Sequence, residues 1–185
     1  MKDPAQVAQS LGITPAAVQL RLAAVGLTPQ DRESLRAAAP ASAARAGEFL
    51  DSLYARLREQ PETGAHLRND AQIERLKVQQ RAYLHELFTA DVDWEYAMRL
   101  LRIGVVHHQV RLAPQWYLAT YAHFVCDHLD AFFAPGADPA FAHAQVQALF
   151  KSVCFDASLV LDAYGRSRET DLWAELQQRS GQSVG

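Results

Sequence analysis

Residues 102–117 read Arg-Ile-Gly-Val-Val-His-His-Gln-Val-Arg-Leu-Ala-Pro-Gln-Trp-Tyr and connect two apolar, helix-forming segments. Pro114 fits the first turn of a helix, where the missing N–H of proline is tolerated. His107 and His108 lie a few positions before this proline, near the end of the preceding segment. The stretch therefore predicts a helix, a short turn and a second helix, with two neighbouring histidines close to the turn.

Helical spacing of apolar residues continues outward from this stretch in both directions, and runs of β-branched residues with period two are hard to find. Upstream, the stripes contain Phe49, Leu50, Leu53, Tyr54 and Leu57, then Ile73, Leu76, Gln80, Tyr83, Leu84, Leu87 and Phe88, then Tyr96, Leu100, Ile103 and Val106. Downstream, the last and longest stripe contains Val146, Leu149, Phe150, Val153, Ala157, Val160, Leu161 and Tyr164. The pattern predicts an all-α protein.

Punctuating residues divide these stripes into separate helices. Pro61 ends the helical stripe of residues 41–60, and Pro135-Gly136 ends the helix that Pro114 begins. Asp91 or Asp93 can cap the helix that carries His107, because short polar side chains accept hydrogen bonds from free N–H groups at a helix start. Asp138-Pro139 begins the last long helix.

The N-terminal segment predicts two short helices, at about 4–11 and 15–24, and then a turn into a third at Pro29. The two helices have the rhythm of a helix-turn-helix unit. DNA binding would need exposed basic or amide side chains on the second helix, which offers only Gln19 and Arg21. We therefore favour a packing extension and keep a helix-turn-helix transcriptional regulator as an alternative.

The composition bounds the class of protein. With 185 residues, 49% hydrophobic and 21% charged, the chain has the length and core of one domain with short appendages. A net charge of −3 does not favour nucleic acid as a partner. The two cysteines form no disulfide framework, and no signal peptide or membrane span is visible. We expect a cytoplasmic protein that has no membrane partner.

Histidines are the residues that could carry chemistry here, since no common catalytic fingerprint is present. His107, His108, His123 and His128 lie close together in the sequence, and Asp127 follows His123 by one helical turn. That pair is a weak candidate for a di-metal site. A haem demands less, namely one neutral imidazole and an apolar slot. Taken singly, each histidine is more commonly a surface or packing residue.

The segment 102–117 resembles the signature of the globin-coupled sensors and the related protoglobins. The shared features are Arg-Ile-Gly, a histidine three residues later, Leu-x-Pro, and a Trp-Tyr that opens the next helix, with Tyr121 extending the match. Ile73 to Lys77 and the following leucines are similar to the distal helix of that family. One departure is Arg111, where the family usually has glycine, so that the local turn is in question.

The resemblance extends over about residues 20–165. Asp93-x-x-Tyr96 is similar to the entry into the proximal helix of the family, and Arg21 to Leu35 is similar to its N-terminal extension. It implies a globin-like fold with an N-terminal helical extension at 1–30, a globin sensor domain at 31–168, and a linker or tail toward an output module at 169–185. The last two long helices would form a dimer interface.

The resemblance also implies the site. His107 would be the proximal ligand of the iron of haem b (iron protoporphyrin IX), and His108 would point elsewhere because neighbouring helical side chains diverge by about 100°. Tyr54 would hydrogen-bond a bound gas; without the resemblance it reads as a core aromatic. Gln79 could donate its amide to the gas, or it faces solvent.

The remaining implied cofactor-binding residues form the walls of the pocket: Leu76, Tyr83, Val106 and Trp116. Leu76 or Tyr83 could face the iron in place of Gln79, and His66 or His85 could close its sixth position at rest. The implied function is that of a sensor rather than an enzyme. It would bind dioxygen, and also carbon monoxide or nitric oxide, and signal through a homodimer. A protoglobin-like haem protein that turns over a reactive gas remains as an alternative.

Overall fold

The computed structural model describes residues 4–182, with side chains from residue 5 to residue 169. Within these residues the chain forms helices and no strand, which confirms the all-α prediction. The helices are α1 (Pro4–Ser10), α2 (Pro15–Val25), α3 (Pro29–Glu59), α4 (Pro61–Gly64), α5 (Asp70–Thr89), α6 (Trp94–Gln109), α7 (Pro114–Phe132) and α8 (Pro139–Gln182). No helix within residues 4–182 is long and apolar enough to cross a membrane.

Each helix starts at a proline or directly after a side-chain cap. All of these helices except α5 and α6 begin at a proline, because the fixed φ of proline suits the first turn. The other two have side-chain caps: Asn69 Oδ1 accepts from the N–H of Gln72, and Asp93 Oδ1 accepts from that of Tyr96, both at 2.8 Å. Asp93 is thus the cap of α6, and the other candidate, Asp91, pairs with Arg36 instead.

Helix α3 is longer than the sequence pattern predicted. The stripe of residues 41–60 and the helix that starts at Pro29 are one continuous helix, although Pro40 lies inside it. An internal proline removes one backbone hydrogen bond. Buried residues on both sides of it, such as Leu35 and Ala46, keep the helix packed through the interruption, while Pro40 itself is exposed.

A capping box fixes the start of α3. Thr28 Oγ1 accepts from the N–H of Asp31 at 3.2 Å, and the Asp31 carboxylate accepts from the N–H of Thr28 at 2.8 Å. Lys151 of α8 also donates to Asp31, at 2.9 Å. Burial alone would raise the pKa of Asp31, but the hydrogen bond from the Thr28 N–H and the Lys151 ammonium together hold it below its usual value.

The described chain divides into two compact units. Of the described residues, the first contains those up to Leu20, the segment Val92–Pro114 and those from Asp156 to Gln182. In it, α1 packs on α6 through a face that includes the buried Val7 and Ala8. This burial agrees with a packing extension, as the sequence favoured.

The second unit contains Arg21–Asp91 and Gln115–Phe155. Its core has α3 packed along α5, with Phe124 of α7 in edge-to-face contact with Phe49 and Phe88 at ring-centroid distances of 5.2 and 6.2 Å.

Helix α8 starts at Pro139, as predicted, but it does not end where the sequence becomes polar. Its backbone stays helical past residue 168 as far as Gln182. The linker expected at 169–185 therefore begins as a continuation of α8, and its last three residues lie outside the described part of the chain.

Candidate functional site

His107 lies in the last turn of α6, in the first unit. Its Nδ1 is 2.8 Å from the backbone carbonyl oxygen of Ile103, one turn earlier, and since a carbonyl only accepts, Nδ1 carries the proton. Burial lowers the pKa of His107, and the hydrogen bond to Ile103 only partly opposes that effect. The ring is therefore neutral at pH 7, with its lone pair on Nε2. This is the tautomer that binds iron or zinc, with the other nitrogen held by a carbonyl.

The turn that follows His107 is a Schellman motif. The N–H of Leu112 donates to the carbonyl of His107 at 3.0 Å, and the N–H of Arg111 donates to that of His108 at 2.9 Å. Arg111 occupies the left-handed position of the motif, with φ of 57°. The turn that usually takes glycine thus forms with arginine, and the question raised by this departure is resolved in favour of the turn.

Close packing of α6 against α8 explains the glycine at position 104, in the Arg-Ile-Gly segment. A Cβ atom at this position would lie 2.4 Å from the backbone oxygen of Val160 and 2.8 Å from the Cβ of Ala163. Only glycine allows α6 and α8 to approach so closely. The glycine therefore sets the packing of the helix that carries His107 one turn later.

The neighbours of His107 have different surroundings. The ring of His108 packs edge-to-face on Tyr164 of α8, with centroids 6.0 Å apart, so that adjacent histidines do have different partners. Val106, predicted as pocket wall, has 38% of its surface exposed. Its role in a pocket stays a prediction.

His128 has a structural role in the second unit. It is 2% exposed, its Nδ1 donates to the carbonyl of Phe124 at 3.0 Å, and its Nε2 lies 2.9 Å from Ser42 Oγ. Both ring nitrogens are engaged within the protein. Burial lowers the pKa of His128, although the hydrogen bond to Phe124 and the nearby carboxylate of Asp127 oppose this.

The proposed metal pair and the two candidate sixth ligands, His66 and His85, lie in the second unit. His123 Nδ1 lies 3.4 Å from an Arg56 nitrogen, and Asp127 forms a two-point ion pair with Arg45. Among the described residues, no group of three or more histidines, cysteines or carboxylates is placed to hold a metal. His66 is half-buried after α4 and His85 is exposed on α5.

Tyr54 lies on α3 in the second unit with 6% of its surface exposed. Burial raises the pKa of Tyr54 to about 12, against a smaller opposing effect of the nearby Lys77. The phenol is therefore protonated at neutral pH. None of the hydrogen bonds within the described part of the chain involves its hydroxyl group, which is thus available to donate to a ligand.

Three predicted residues occupy α5. Leu76, Gln79 and Tyr83 are spaced so that they share one side of the helix. Leu76 and Tyr83 are half-buried, whereas Gln79 is exposed, which agrees with the solvent-facing alternative for its side chain.

Tyr83 belongs to a cluster of phenols that the sequence did not reveal. Its hydroxyl is hydrogen-bonded to that of Tyr121, and Tyr117 donates to Tyr121 at 2.9 Å. The sequence marked Tyr117 and Tyr121 as parts of the motif, and they lie one turn apart on α7. Their contact with Tyr83 could not be predicted, because Tyr83 lies on another helix, α5.

Trp116 opens α7 and is half-buried. Its indole N–H donates to Glu62 of α4 at 2.8 Å. Glu62 was not predicted, since nothing in its local sequence marks it as a partner. The contact ties the start of α7 to the turn after α3.

Comparisons with known proteins agree with this geometry. The sequence model of the Protoglobin family matches residues 14–170. The heme-based aerotactic transducer HemAT of Halobacterium salinarum is 28% identical over 187 residues, an alignment that covers 96% of this chain and 38% of HemAT. The chain thus spans less than half the length of that relative.

Solved structures show the same fold. The globin domain of the Geobacter sulfurreducens globin-coupled sensor superposes with a TM-score of 0.74 at 23% identity, over 79% of this chain and 96% of that one. The ferrous globin domain of E. coli DosC gives 0.62 at 17% identity, over 77% and 97%. With the family model matching most of its length, the chain belongs to the protoglobin family and has the helical fold of globin-coupled sensor domains.

Proposed function

We propose that this chain is a haem-based gas-sensor domain whose iron ligand is His107. The observation that carries the proposal is the hydrogen bond from His107 Nδ1 to the Ile103 carbonyl. It holds a neutral imidazole in the tautomer whose Nε2 can bind iron. When bound, haem b supplies an iron centre at which a diatomic gas can bind. The name of HemAT, a heme-based aerotactic transducer, agrees with this assignment.

In this proposal the protein holds the imidazole rigidly. Gly104 lets α6 pack closely on α8, and the Schellman motif at Arg111 ends α6 directly after the ligand. The His107 ring is thus anchored through its own helix on both sides. Rigid support of this kind keeps a ligating histidine in one orientation.

Tyr54 would act on the gas. Its phenol is protonated at neutral pH, because burial raises its pKa to about 12, so it donates a hydrogen bond and does not repel a ligand with partial negative charge. Such a bond contributes about 1 kcal/mol, or roughly a factor of 5 in the rate of gas release. This favours dioxygen, a better acceptor than carbon monoxide, with nitric oxide as a further ligand. Gln79, Leu76, Tyr83, Val106 and Trp116 stay as predicted pocket residues.

The signal would pass through a homodimer formed by α7 and α8. In the second unit these helices and the turn between them present exposed apolar side chains: Leu118 (43%), Phe133 (52%), Phe141 (47%) and Phe150 (58%). A contiguous patch of exposed apolar groups is typical of a surface that another chain covers, and in this proposal the partner covers these side chains. The domain itself would be a sensor and not an enzyme, and α8 would lead toward an output module.

Absorption spectroscopy of haem-supplied protein tests the ligand. We expect an intense Soret band in wild type and in His108→Ala, because His108 packs on Tyr164. The band should be lost or shifted in His107→Gly and restored by added imidazole, which fills the space of the missing ring. A wild type that never takes up haem refutes the proposal, and so does a His107→Gly spectrum identical to that of wild type.

Sedimentation velocity tests the dimer. We expect a dimeric wild type and a monomeric Phe150→Glu variant, because a buried carboxylate in an apolar interface is strongly unfavourable. Val78→Glu is the matched control, since Val78 is an exposed apolar residue on α5 (69%, against 58% for Phe150), outside α7 and α8. A monomeric wild type, or a Phe150→Glu variant as dimeric as the control, would exclude this interface.

A further inference from the structure

Two ion pairs link α3 to α5 on either side of Tyr54. Lys77 Nζ donates to Asp51 Oδ1 at 2.7 Å, and Arg58 Nη1 donates to Asp70 Oδ1 at 2.8 Å. As the number rises along α3 from 51 to 58, the number of the partner on α5 falls from 77 to 70, so the two helices run antiparallel. Tyr54 lies between the two α3 residues, one turn from each.

The two ion pairs differ in burial and in their number of partners. The Lys77 side chain is 17% exposed and donates to a second carboxylate, Glu74 Oε1, at 2.8 Å. The Arg58 side chain is 52% exposed and its partner is still more exposed. Lys77 is also the cation whose charge acts on the Tyr54 phenol and lowers its pKa. Lys77 is thus the more buried of the two cations and is held by two carboxylates, and its partner Asp51 lies one helical turn from Tyr54 on α3.

We infer that Lys77 is a positioning residue for the distal hydroxyl, held in place by Asp51 and Glu74 so that its positive charge strengthens the hydrogen bond that Tyr54 donates to the gas. A nearby cation stabilises negative charge on the phenol oxygen, which makes the O–H a stronger donor. The carboxylates keep the ammonium group from turning into solvent. This inference rests on the proposed function, in which Tyr54 contacts the gas.

Gas release from the haem-loaded protein is the first measurement. We expect stopped-flow release of dioxygen to be about threefold faster in Lys77→Met than in wild type, the scale of one partly exposed charge interaction. Lys77→Arg should restore the wild-type rate, because it keeps a cation between the same carboxylates. Arg58→Met, which removes the other ion pair across the same two helices, should leave the rate unchanged. Equal effects of Lys77→Met and Arg58→Met would overturn the inference in favour of general helix packing.

A double variant tests whether Lys77 acts through Tyr54. Tyr54→Phe removes the donor, so adding Lys77→Met to it should change the release rate no further. If Lys77→Met accelerates release equally in the presence and absence of the Tyr54 hydroxyl, Lys77 acts by another route and the inference is wrong.

A measurement without haem separates this inference from the proposed function. In protein labelled with 3-fluorotyrosine, whose phenol is more acidic, ¹⁹F NMR follows the ionisation of each tyrosine, and Tyr54→Phe identifies the signal. We expect the Tyr54 signal to titrate at higher pH in Lys77→Met than in wild type or Arg58→Met. An unchanged titration refutes the coupling whether or not haem binds. A wild type that takes up no haem refutes the proposed function, while the titration still decides the coupling.

Discussion

Replacing Gly104 by alanine tests the packing that positions His107. The added Cβ would lie 2.4 Å from the backbone oxygen of Val160 and 2.8 Å from the Cβ of Ala163. An ordinary contact begins at 3.4 Å, so the first distance is short by 3.4 − 2.4 = 1.0 Å. Because a helical carbonyl cannot rotate away, α6 and α8 must move apart.

The expected free-energy change combines two opposing effects. Overpacking of a tight interface costs about 1–3 kcal/mol, and a clash with backbone belongs at the upper end of that range. Alanine favours a helix over glycine by about 1 kcal/mol, which offsets part of it. We therefore expect Gly104→Ala to lower the free energy of unfolding by about 2 kcal/mol. For a chain of this size, that lowers the Tm by roughly 4–8 °C.

Urea and thermal unfolding followed by circular dichroism give the measurement. Gly165→Ala is the control, because Gly165 is also within a helix of the first unit but a Cβ there meets nothing within 4 Å. Helix propensity alone should stabilise that variant by up to about 1 kcal/mol. A lower free energy of unfolding for Gly104→Ala and a higher one for Gly165→Ala would support the close approach of α6 and α8. A Gly104→Ala variant as stable as wild type would refute it.

Three further substitutions test single contacts. Arg111→Gly should raise the free energy of unfolding by about 1 kcal/mol, since glycine adopts the left-handed conformation without strain, and a lower Tm would contradict the φ of 57°. Asp31→Asn should lower the free energy of unfolding by up to about 1 kcal/mol near neutral pH, because it removes the ion pair with Lys151. Because folding lowers the pKa of Asp31, the stability difference between wild type and Asp31→Asn should be largest well above pH 3.8 and should shrink as the pH falls below that value. A Tm difference that does not change with pH would refute the role of the Asp31 carboxylate. Ser42→Ala should cost about 1–3 kcal/mol in urea unfolding, because it removes a hydrogen-bond partner from the buried His128, and an unchanged midpoint would contradict that bond.

The helix starts were predictable because their causes are local. A proline in the first turn or an aspartate at the cap acts within a few residues, so the sequence predicted Pro114 and narrowed the cap of α6 to Asp91 or Asp93. The continuity of α3 through Pro40 could not, because it depends on the packing of buried residues on both sides. The helical course of α8 beyond residue 168 was missed for a related reason: polar composition there predicted a linker, although polar residues also form helices.

The candidate site shows the same division. The motif singled out His107 as the candidate ligand, and its bond to Ile103 follows from helix geometry, since residues four apart are neighbours on a helix. The partners of Tyr54 and Trp116 could not be predicted. Glu62 on α4 accepts from Trp116, and the charge that acts on Tyr54 comes from Lys77 on α5; a single sequence does not show which distant residues interact.

The motif around His107 combines two physical requirements that a variant series can separate. Gly104 and the left-handed turn at Arg111 serve the backbone. Gly104 leaves room for α8 to pack against α6, and the turn at Arg111 ends α6. In the proposed function, binding of the iron requires the imidazole of His107, whereas α6 itself would form with another side chain at that position. We therefore expect His107 variants to keep the stability of the wild-type fold while losing haem, and Gly104 variants to lose both together. In this reasoning Gly104 and the turn at Arg111 position the histidine, whereas His107 itself binds the iron. All three act on the same end of α6 and therefore lie in one short stretch of sequence.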